Sequence, residues 1–424
     1  MPIQSISSVK TIKRLFQNPS AGPRIAFITG GTGSRELALH IKEFTHNTSY
    51  IIGTADSGGS TRQLRLLFDM PAIGDFRSRL VDLADTKAPG HRETTELLRY
   101  RLPKEATPGE LEGELHSIII GDHQLARAIQ SNREAAWFST VIRKSLEEFQ
   151  NARTSSESEL GQRFDLAGAS IGNLFLSGYY LYYYRDLTAA INTYKLLAGV
   201  KGDIIPATLE AVHIAALMAD GKKVFGQHLM TAYKNGPVED MWYVESEEEG
   251  SRKTDPQLNP LVNDALLNAN LIVFSMGSFW SSILSVLRIA GLAKAVRKSK
   301  AEKVLIINSA QDEETVGMTA GDMAGKVIST MTQSDTNAVP DSSYVSHVLV
   351  NNRFDPDVTF QSKYGQTFGL VSPEIRLADP NIDITRADLL KTEKNYDPEI
   401  LTRYLFQILI RKHANEGSFD EFGE

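Results

Sequence analysis

The 424-residue sequence contains no cysteine. Disulfides, thiolate nucleophiles and cysteine-ligated metals are therefore excluded, and the composition fits a reducing cytosol. Long apolar runs are missing as well. No stretch approaches the ~18–20 residues a membrane span requires, so a soluble, cytoplasmic protein without a membrane partner is expected. Met1 to Pro23 carries Lys10, Lys13 and Arg14 but no apolar core, and reads as neither signal peptide nor anchor. Val9, Ile12, Leu15 and Phe16 mark a short amphipathic arm there. There is no basic excess, because 45 Lys and Arg stand against 52 Asp and Glu for a net charge of −7. That balance argues against a general nucleic-acid binder. Two phosphate signatures also fail: Glu36 stands where a dinucleotide fingerprint needs its third glycine, and no Walker pattern occurs.

What is present is ordinary globular composition, 42% hydrophobic and 23% charged, over a length that allows one large α/β domain with insertions or two to three domains. Arg24 to Thr29 is a short apolar run that stops at Gly30-Gly31-Thr32-Gly33, and Leu37, Ile41 and Phe44 follow at helical spacing. A strand, a glycine turn and a helix are implied. Such a turn offers backbone N–H groups to an anion, although a tight strand-to-helix connection needs the same residues. Ser49 to Thr54 reads as a second strand, and Asp56-Ser57-Gly58-Gly59-Ser60 comes just past its end. Two glycine loops and a carboxylate are thus expected on one edge. Asp56 also suits a turn or a helix cap.

Further along, Asp82 to about Leu160 has a charged, helical pattern, with Ala152 to Glu159 polar enough for a loop. His91, His116 and His123 within it lack metal-ligand spacing. Asn173 opens a segment that continues into the tyrosines Tyr179 to Tyr184, which suit a core or subunit contact better than base stacking. Val212, Ile214 and Ala216, then Asp220-Gly221 and Lys223 onward, read as a hairpin extending the sheet. Leu271 to Phe274, Val304 to Ile307 and His347 to Val350, taken as the last strand, are buried-strand runs. The first of them leads into Ser275-Met276-Gly277-Ser278, with a helix after it. Alternating strands and helices give an α/β, doubly wound, mostly parallel sheet whose ligand cleft lies at the strand carboxyl ends, where Gly30, Asp56, Ser275 and Asn308 fall. Expected divisions are an arm over 1–23, an α/β nucleotide-binding domain over 24–350 with a helical insertion near 86–160, and an extension over 351–424. That extension carries an amphipathic helix after Asp397 and an acidic tail after Gly417.

The order Gly30 to Gly33, Asp56 to Ser60, Leu64-Arg65, Gly74-Asp75-Phe76-Arg77, Ile171 to Leu174, Ile205 to Thr208, Asp220-Gly221, Ser275 to Ser278 and Gln311 to Thr315 resembles the CofD-like family. That family joins 2-phospho-L-lactate transferases to bacterial gluconeogenesis factors. The likeness covers roughly Arg24 to Val350 and is nearest the bacterial CofD-like subgroup. It implies a Rossmann-like fold and a nucleotide diphosphate ligand held by Gly30, Gly31, Thr32, Gly33, Ser57, Gly58, Gly59, Ser60, Arg65, Arg77, Asn173, Ser275, Gly277, Ser278 and Asn308. In the transferases, Mg²⁺ bridges phosphates and acids while a phospholactyl group passes to a hydroxyl acceptor. Asp56 and Asp75 are the acids assigned here to metal binding or hydroxyl activation. Their structural alternative is a helix cap for Asp56 and a pairing of Asp75 with Arg77 or Arg79. The family's paired aspartates stand here as Asp56-Ser57, and its Gly-Pro-Gly-Ser turn as Ser275 to Ser278. Both departures tell against transfer chemistry, and Gly74-Asp75-Phe76-Arg77 resembles more closely the gluconeogenesis-factor branch, whose members bind a nucleotide sugar and regulate metabolism or cell-envelope synthesis. The tyrosine run and the C-terminal helix, with the family's dimers, suggest a homodimer.

Overall fold

In the computed structural model, residues 17–161, 163–362 and 365–416 are described, with side chains to Lys412. The amphipathic arm at Val9 to Phe16 and the acidic tail lie outside them. The strands are β1 (Ile25–Ile28), β2 (Thr48–Ile52), β3 (Asp203–Pro206), β4 (His213–Met218), β5 (Lys223–Phe225), β6 (Val238–Val244), β7 (Lys253–Thr254), β8 (Leu271–Phe274), β9 (Glu302–Ile306), β10 (His347–Asn351), β11 (Thr359–Gln361), β12 (Thr367–Gly369) and β13 (Asp383–Ala387). Seven of them form one sheet in the order β13-β10-β9-β8-β1-β2-β3. β1 runs parallel to β2 and β8, and parallel pairing continues from β8 through β9 and β10 to β13. Each residue of β1 and β8 is buried, as expected of central parallel strands covered on both faces. The chain moves outward from β1 to β3 and then returns to fill the other side from β8. The strand order therefore reverses between β1 and β8, which is where an open α/β sheet leaves a crevice.

Two compact units divide the chain. One comprises the residues up to Gly53, Ile205–Thr208 and those from Val212 on; the other is Thr54–Ile204 with Leu209–Ala211. The first holds the parallel sheet and is closed by the helix Pro398–Glu416, whose Leu401, Leu405 and Ile408 are buried. That apolar face packs on the helix Arg35–Ile41 and on β9, so it is consumed by its own core. The second unit is helical. Its helix Ile171–Tyr182 crosses Ala136–Leu160 so closely that a Cβ at Gly178 would lie 1.8 Å from the Ser145 carbonyl oxygen.

Three sequence expectations need correction. The Asp220-Gly221 hairpin forms, with Gly221 at φ +83°, but β4 and β5 belong to a separate sheet ordered β5-β4-β6-β7. β4 pairs antiparallel with β6 instead of joining the main sheet, where β3 already takes the edge. Ala152 to Glu159 is helix, not loop, because nothing breaks the run before Gly161 at φ +65°. Arg153 there is buried and ion-paired with Glu112 at 2.7 Å. Finally, β10 is followed by one more parallel strand, β13, whose short mixed sequence shows no two-residue alternation.

Candidate ligand-binding site

In the first unit the turns after β1 and β8 meet. A Cβ at Gly33 would lie 2.7 Å from the Gly277 Cα and 2.9 Å from the Met276 carbonyl oxygen, so only glycine lets the two backbones approach. Gly30 and Gly31 are buried beneath this contact, while Thr32 and Gly33 are exposed. The Thr29 and Ser34 hydroxyls bond to each other at 2.6 Å and close the base of the turn. Opposite, the Asn308 amide donates to the Gly277 carbonyl at 2.8 Å and accepts the Gly277 N–H at 3.2 Å. Asn308, from the end of β9, thereby fixes both sides of one residue. Ser275 is buried and Ser278 exposed. Thr32, Gly33, Met276, Gly277, Ser278 and Asn308 border a cleft of about 960 Å³, walled further by Asp312, Glu313, Glu314, Phe360, Phe368 and Lys394. That size accommodates a nucleotide-sized ligand.

Beyond Ser278 the chain enters a π-helical segment, Phe279–Leu284. Its first N–H groups find an acceptor in Glu314, which takes bonds from Trp280 N–H at 2.7 Å, Ser281 N–H at 3.0 Å and the Ser281 hydroxyl at 2.6 Å. Burial, then the neighbouring charge of Asp312, pushes the Glu314 carboxyl up to about 7. Asp312 is raised for the same first reason.

The second unit holds the other candidates. Asp56 accepts the Gly58 N–H at 3.4 Å, a turn bond ahead of the helix Gly59–Phe68, whose N-cap position belongs to Gly58. A Cβ on Gly74, the residue before Asp75, would lie 3.8 Å from the Asp56 carboxylate, so the start of the helix Gly74–Leu83 adjoins that loop. Arg65 is buried and donates to the carbonyls of Ala55 and Asp56, each at 3.2 Å, which makes it a strut for the loop. Arg77 Nε donates to Asn173 at 3.4 Å, and the Asn173 amide donates to Ser60 at 3.2 Å. Burial, followed by the charge of Arg101, lowers the Arg77 pKa against the opposing pull of Tyr194, Asp82 and Asp75. Ser57 is 2% exposed. Among the described residues no three of His, Asp and Glu converge on a metal position.

The family model described as 2-phospho-L-lactate transferase CofD matches residues 25–390. The chain belongs to the CofD family. Among its relatives is a putative gluconeogenesis factor of Aquifex aeolicus, 25% identical over 91% of this chain and 96% of that protein. Another, from Nostoc, is 26% identical over 73% of this chain, which spans only 52% of that longer relative. A solved Bacillus halodurans structure of the UPF0052 family shares the fold, with a TM-score of 0.65 at 21% identity, covering 91% of this chain and 98% of the other. Among the described residues, no helix of this CofD-family chain is long and apolar enough to cross a membrane. Sequence reasoning gave no role to Asp312, Glu313 and Glu314. Their signal was the acid run inside Gln311 to Thr315, which entered only as part of the motif order.

Proposed function

We propose that this CofD-family protein binds a nucleotide diphosphate donor at the crevice between β1 and β8 and passes a phospholactyl-type, substituted phosphate group to a hydroxyl acceptor. The reading rests on one observation, the meeting of Gly33 and Gly277 where the strand order reverses. Gly33 and Gly277, which carry no side chain, leave backbone with the Thr32 and Ser278 hydroxyls to face phosphate oxygens, and Asn308 keeps Gly277 in place. In such a transfer the acceptor oxygen bonds to phosphorus, the bond from phosphorus to the bridging oxygen breaks, and a nucleoside monophosphate leaves. Positioning and charge neutralisation supply most of the catalysis.

Asp56 and Asp75 would hold Mg²⁺. Two carboxylates on adjoining segments, with no third acid among the described residues, suit an ion that takes one or two carboxylates and completes its shell with phosphate oxygens and water. Arg65 keeps the Asp56 loop in shape. Calorimetric titration with GDP, UDP, CDP and ADP, with and without Mg²⁺, tests the reading, and failure of all four to bind rejects it. Asp56→Asn and Asp75→Asn should each lower Mg²⁺-supported affinity about tenfold or more, since asparagine keeps the shape and loses the charge. Mg²⁺ dependence equal to wild type in both variants would remove the metal role.

A second reading, a nucleotide-sugar-binding regulator of carbon metabolism or cell-envelope synthesis, draws on Ser57. The position of the transferases' second aspartate carries a buried hydroxyl here. Nucleotide binding without release of nucleoside monophosphate to any hydroxyl acceptor would favour it. For assembly, the homodimer proposal draws on the exposed Tyr182, Tyr183 and Tyr184, the last 95% exposed. A monomer mass independent of concentration in light scattering would reject it.

A further inference from the structure

The second unit holds a cavity of its own, about 170 Å³, where the helices His91–Arg99, Pro108–Ile120, Gln124–Ser131 and Ala136–Leu160 meet. Leu97, Ile118, Ile129 and Ile142, one from each helix, line it and are buried. Native interiors are close-packed, and a void of this size forfeits dispersion contacts along every wall. An apolar cavity of about 150 Å³ stays dry and takes a benzene-sized molecule, so an aliphatic group of about five or six carbons suits the inner end here. The other end differs. Ile120 and Arg143 share the lining and are exposed, so the cavity opens to solvent on their side. Of the described residues that line it, Arg143 alone carries a charge. Its ion pair with Glu147, at 3.9 Å between two exposed side chains, is worth little and leaves the guanidinium available. Gln130 lines the same cavity and adds a neutral donor. A Cβ at Gly121 would stand 2.1 Å from the Gln130 amide nitrogen, so the bare turn lets that amide lie against it.

We propose that this cavity binds a short aliphatic carboxylate, with its chain among the isoleucines and its carboxylate at the mouth, held by Arg143 and the Gln130 amide. The charge decides the class. A guanidinium facing a carboxylate can donate two parallel N–H bonds, an alkylammonium would meet it with like charge, and an alcohol would forgo the ion pair. The size decides the chain, because each methylene moved from water to the apolar end adds about 0.8 kcal/mol until the cavity is full. All of these residues belong to the helical unit, and none is assigned to the nucleotide. The proposal therefore stands apart from the nucleotide reading.

The test titrates isovalerate, 4-methylpentanoate and hexanoate into the full chain, with acetate as the size control and 3-methylbutan-1-ol and 3-methylbutylamine as the charge controls. Melting curves of each variant check that it folds. Wild type should bind the three longer acids, with acetate at least tenfold weaker for its missing methylenes, and the alcohol and amine at least threefold weaker than isovalerate. Arg143→Gln, on the exposed side, should weaken the acids about three- to tenfold and leave the alcohol unchanged. Ala126 is a buried lining residue, and Ala126→Leu puts three more carbons into the space, so it should abolish binding of acids and alcohol together. No binding of the longer acids to wild type overturns the proposal, and so does acetate binding as tightly as isovalerate. Acid affinity unchanged in Ala126→Leu places the ligand elsewhere and overturns it too. An alcohol that matches the acids, with Arg143→Gln without effect, overturns the carboxylate assignment. If Ala126→Leu does not fold, the wild-type series and Arg143→Gln decide between the same outcomes. Failure of every nucleotide to bind would remove the nucleotide reading and leave this proposal standing.

Discussion

The loops at Gly30 to Gly33 and at Ser57 to Ser60 look alike in sequence, two small-residue turns each leading into a helix. Their glycines are required for different reasons. At Gly33 the constraint is space, since a Cβ would sit 2.7 Å from the Gly277 Cα. At Gly59 it is handedness, with φ +54° and no neighbour within 4 Å of a Cβ. Gly74, downstream in the second unit, is a third case: its Cβ would lie 2.6 Å from the Thr61 hydroxyl, an atom that mutation can remove. A glycine facing foreign backbone marks a place where two segments must come together. A glycine chosen for its dihedral marks only the local path of the chain.

The largest expected effect follows from the first case. Gly33→Val should abolish nucleotide binding, at least a hundredfold by titration, and cost about 1–3 kcal/mol of stability by overpacking. No side chain can move aside, because the atoms it meets belong to the Gly277 and Met276 backbone. Retained affinity would mean that the contact between the turns has no part in the site.

The two regions also differ in what holds them. A carboxylate that titrates near neutrality braces the segment after Ser278, whereas a guanidinium, charged at any accessible pH, braces the Asp56 loop. Glu314 has its folded pKa raised by burial to about 7 from its ordinary 4.5. Between those values the folded chain keeps a proton the unfolded chain has released, so stability falls as pH rises through the window. Below it the effect is absent. Melting curves from pH 4.5 to 8 should show wild type losing stability relative to Glu314→Gln as pH rises. Nucleotide affinity should change over the same range and flatten in the variant. Parallel profiles would assign the pH sensitivity elsewhere.

Much of this was legible in the sequence, for reasons that local chemistry explains. β1 and β8 are uninterrupted apolar runs, and β9 is apolar from Val304 on, because both their faces are covered, and that signal survives without any partner being known. The turns after β1 and β8 were legible as small-residue segments. Their mutual contact was not, since nothing near Gly33 specifies that Gly277 will lie against it. Glu314 was obscured for a related reason: its partners, Trp280 and Ser281, are remote in sequence, and an acidic run usually reads as solvated surface. β13 escaped because Asp383 to Ala387 has no alternation to read. The C-terminal helix was legible as amphipathic, but its sequence left open whether its apolar face met this chain or another; Leu401, Leu405 and Ile408 settle that it covers the first unit's own core.

A smaller effect separates backbone constraint from side-chain constraint. Gly74→Ala should destabilise by about 1–2 kcal/mol, measured by urea unfolding, because the new methyl meets the Thr61 hydroxyl. Thr61→Ala in the same chain should restore most of the loss, since the next nearest Thr61 atom is its Cβ at an ordinary 3.7 Å. A double-mutant cycle then gives a favourable coupling near 1 kcal/mol. Additive losses would show that the obstacle at Gly74 is not Thr61.

The smallest effect is at Gly59, and it tests whether handedness alone sets the residue. A left-handed backbone costs an L-residue with a Cβ about 1 kcal/mol, and asparagine less, because its side chain bonds locally in that conformation. With no neighbour within 4 Å of the added atom, size should not matter. Gly59→Asn should therefore lose less stability than Gly59→Ala, although asparagine is larger, and Gly59→Val should lose most because β-branching is poorly tolerated at positive φ. Urea midpoints in the order Gly, Asn, Ala, Val support a dihedral constraint. A loss that instead grows with volume, Ala before Asn, would mean that Gly59 is crowded as Gly33 is, and the contrast between the two loops would fail.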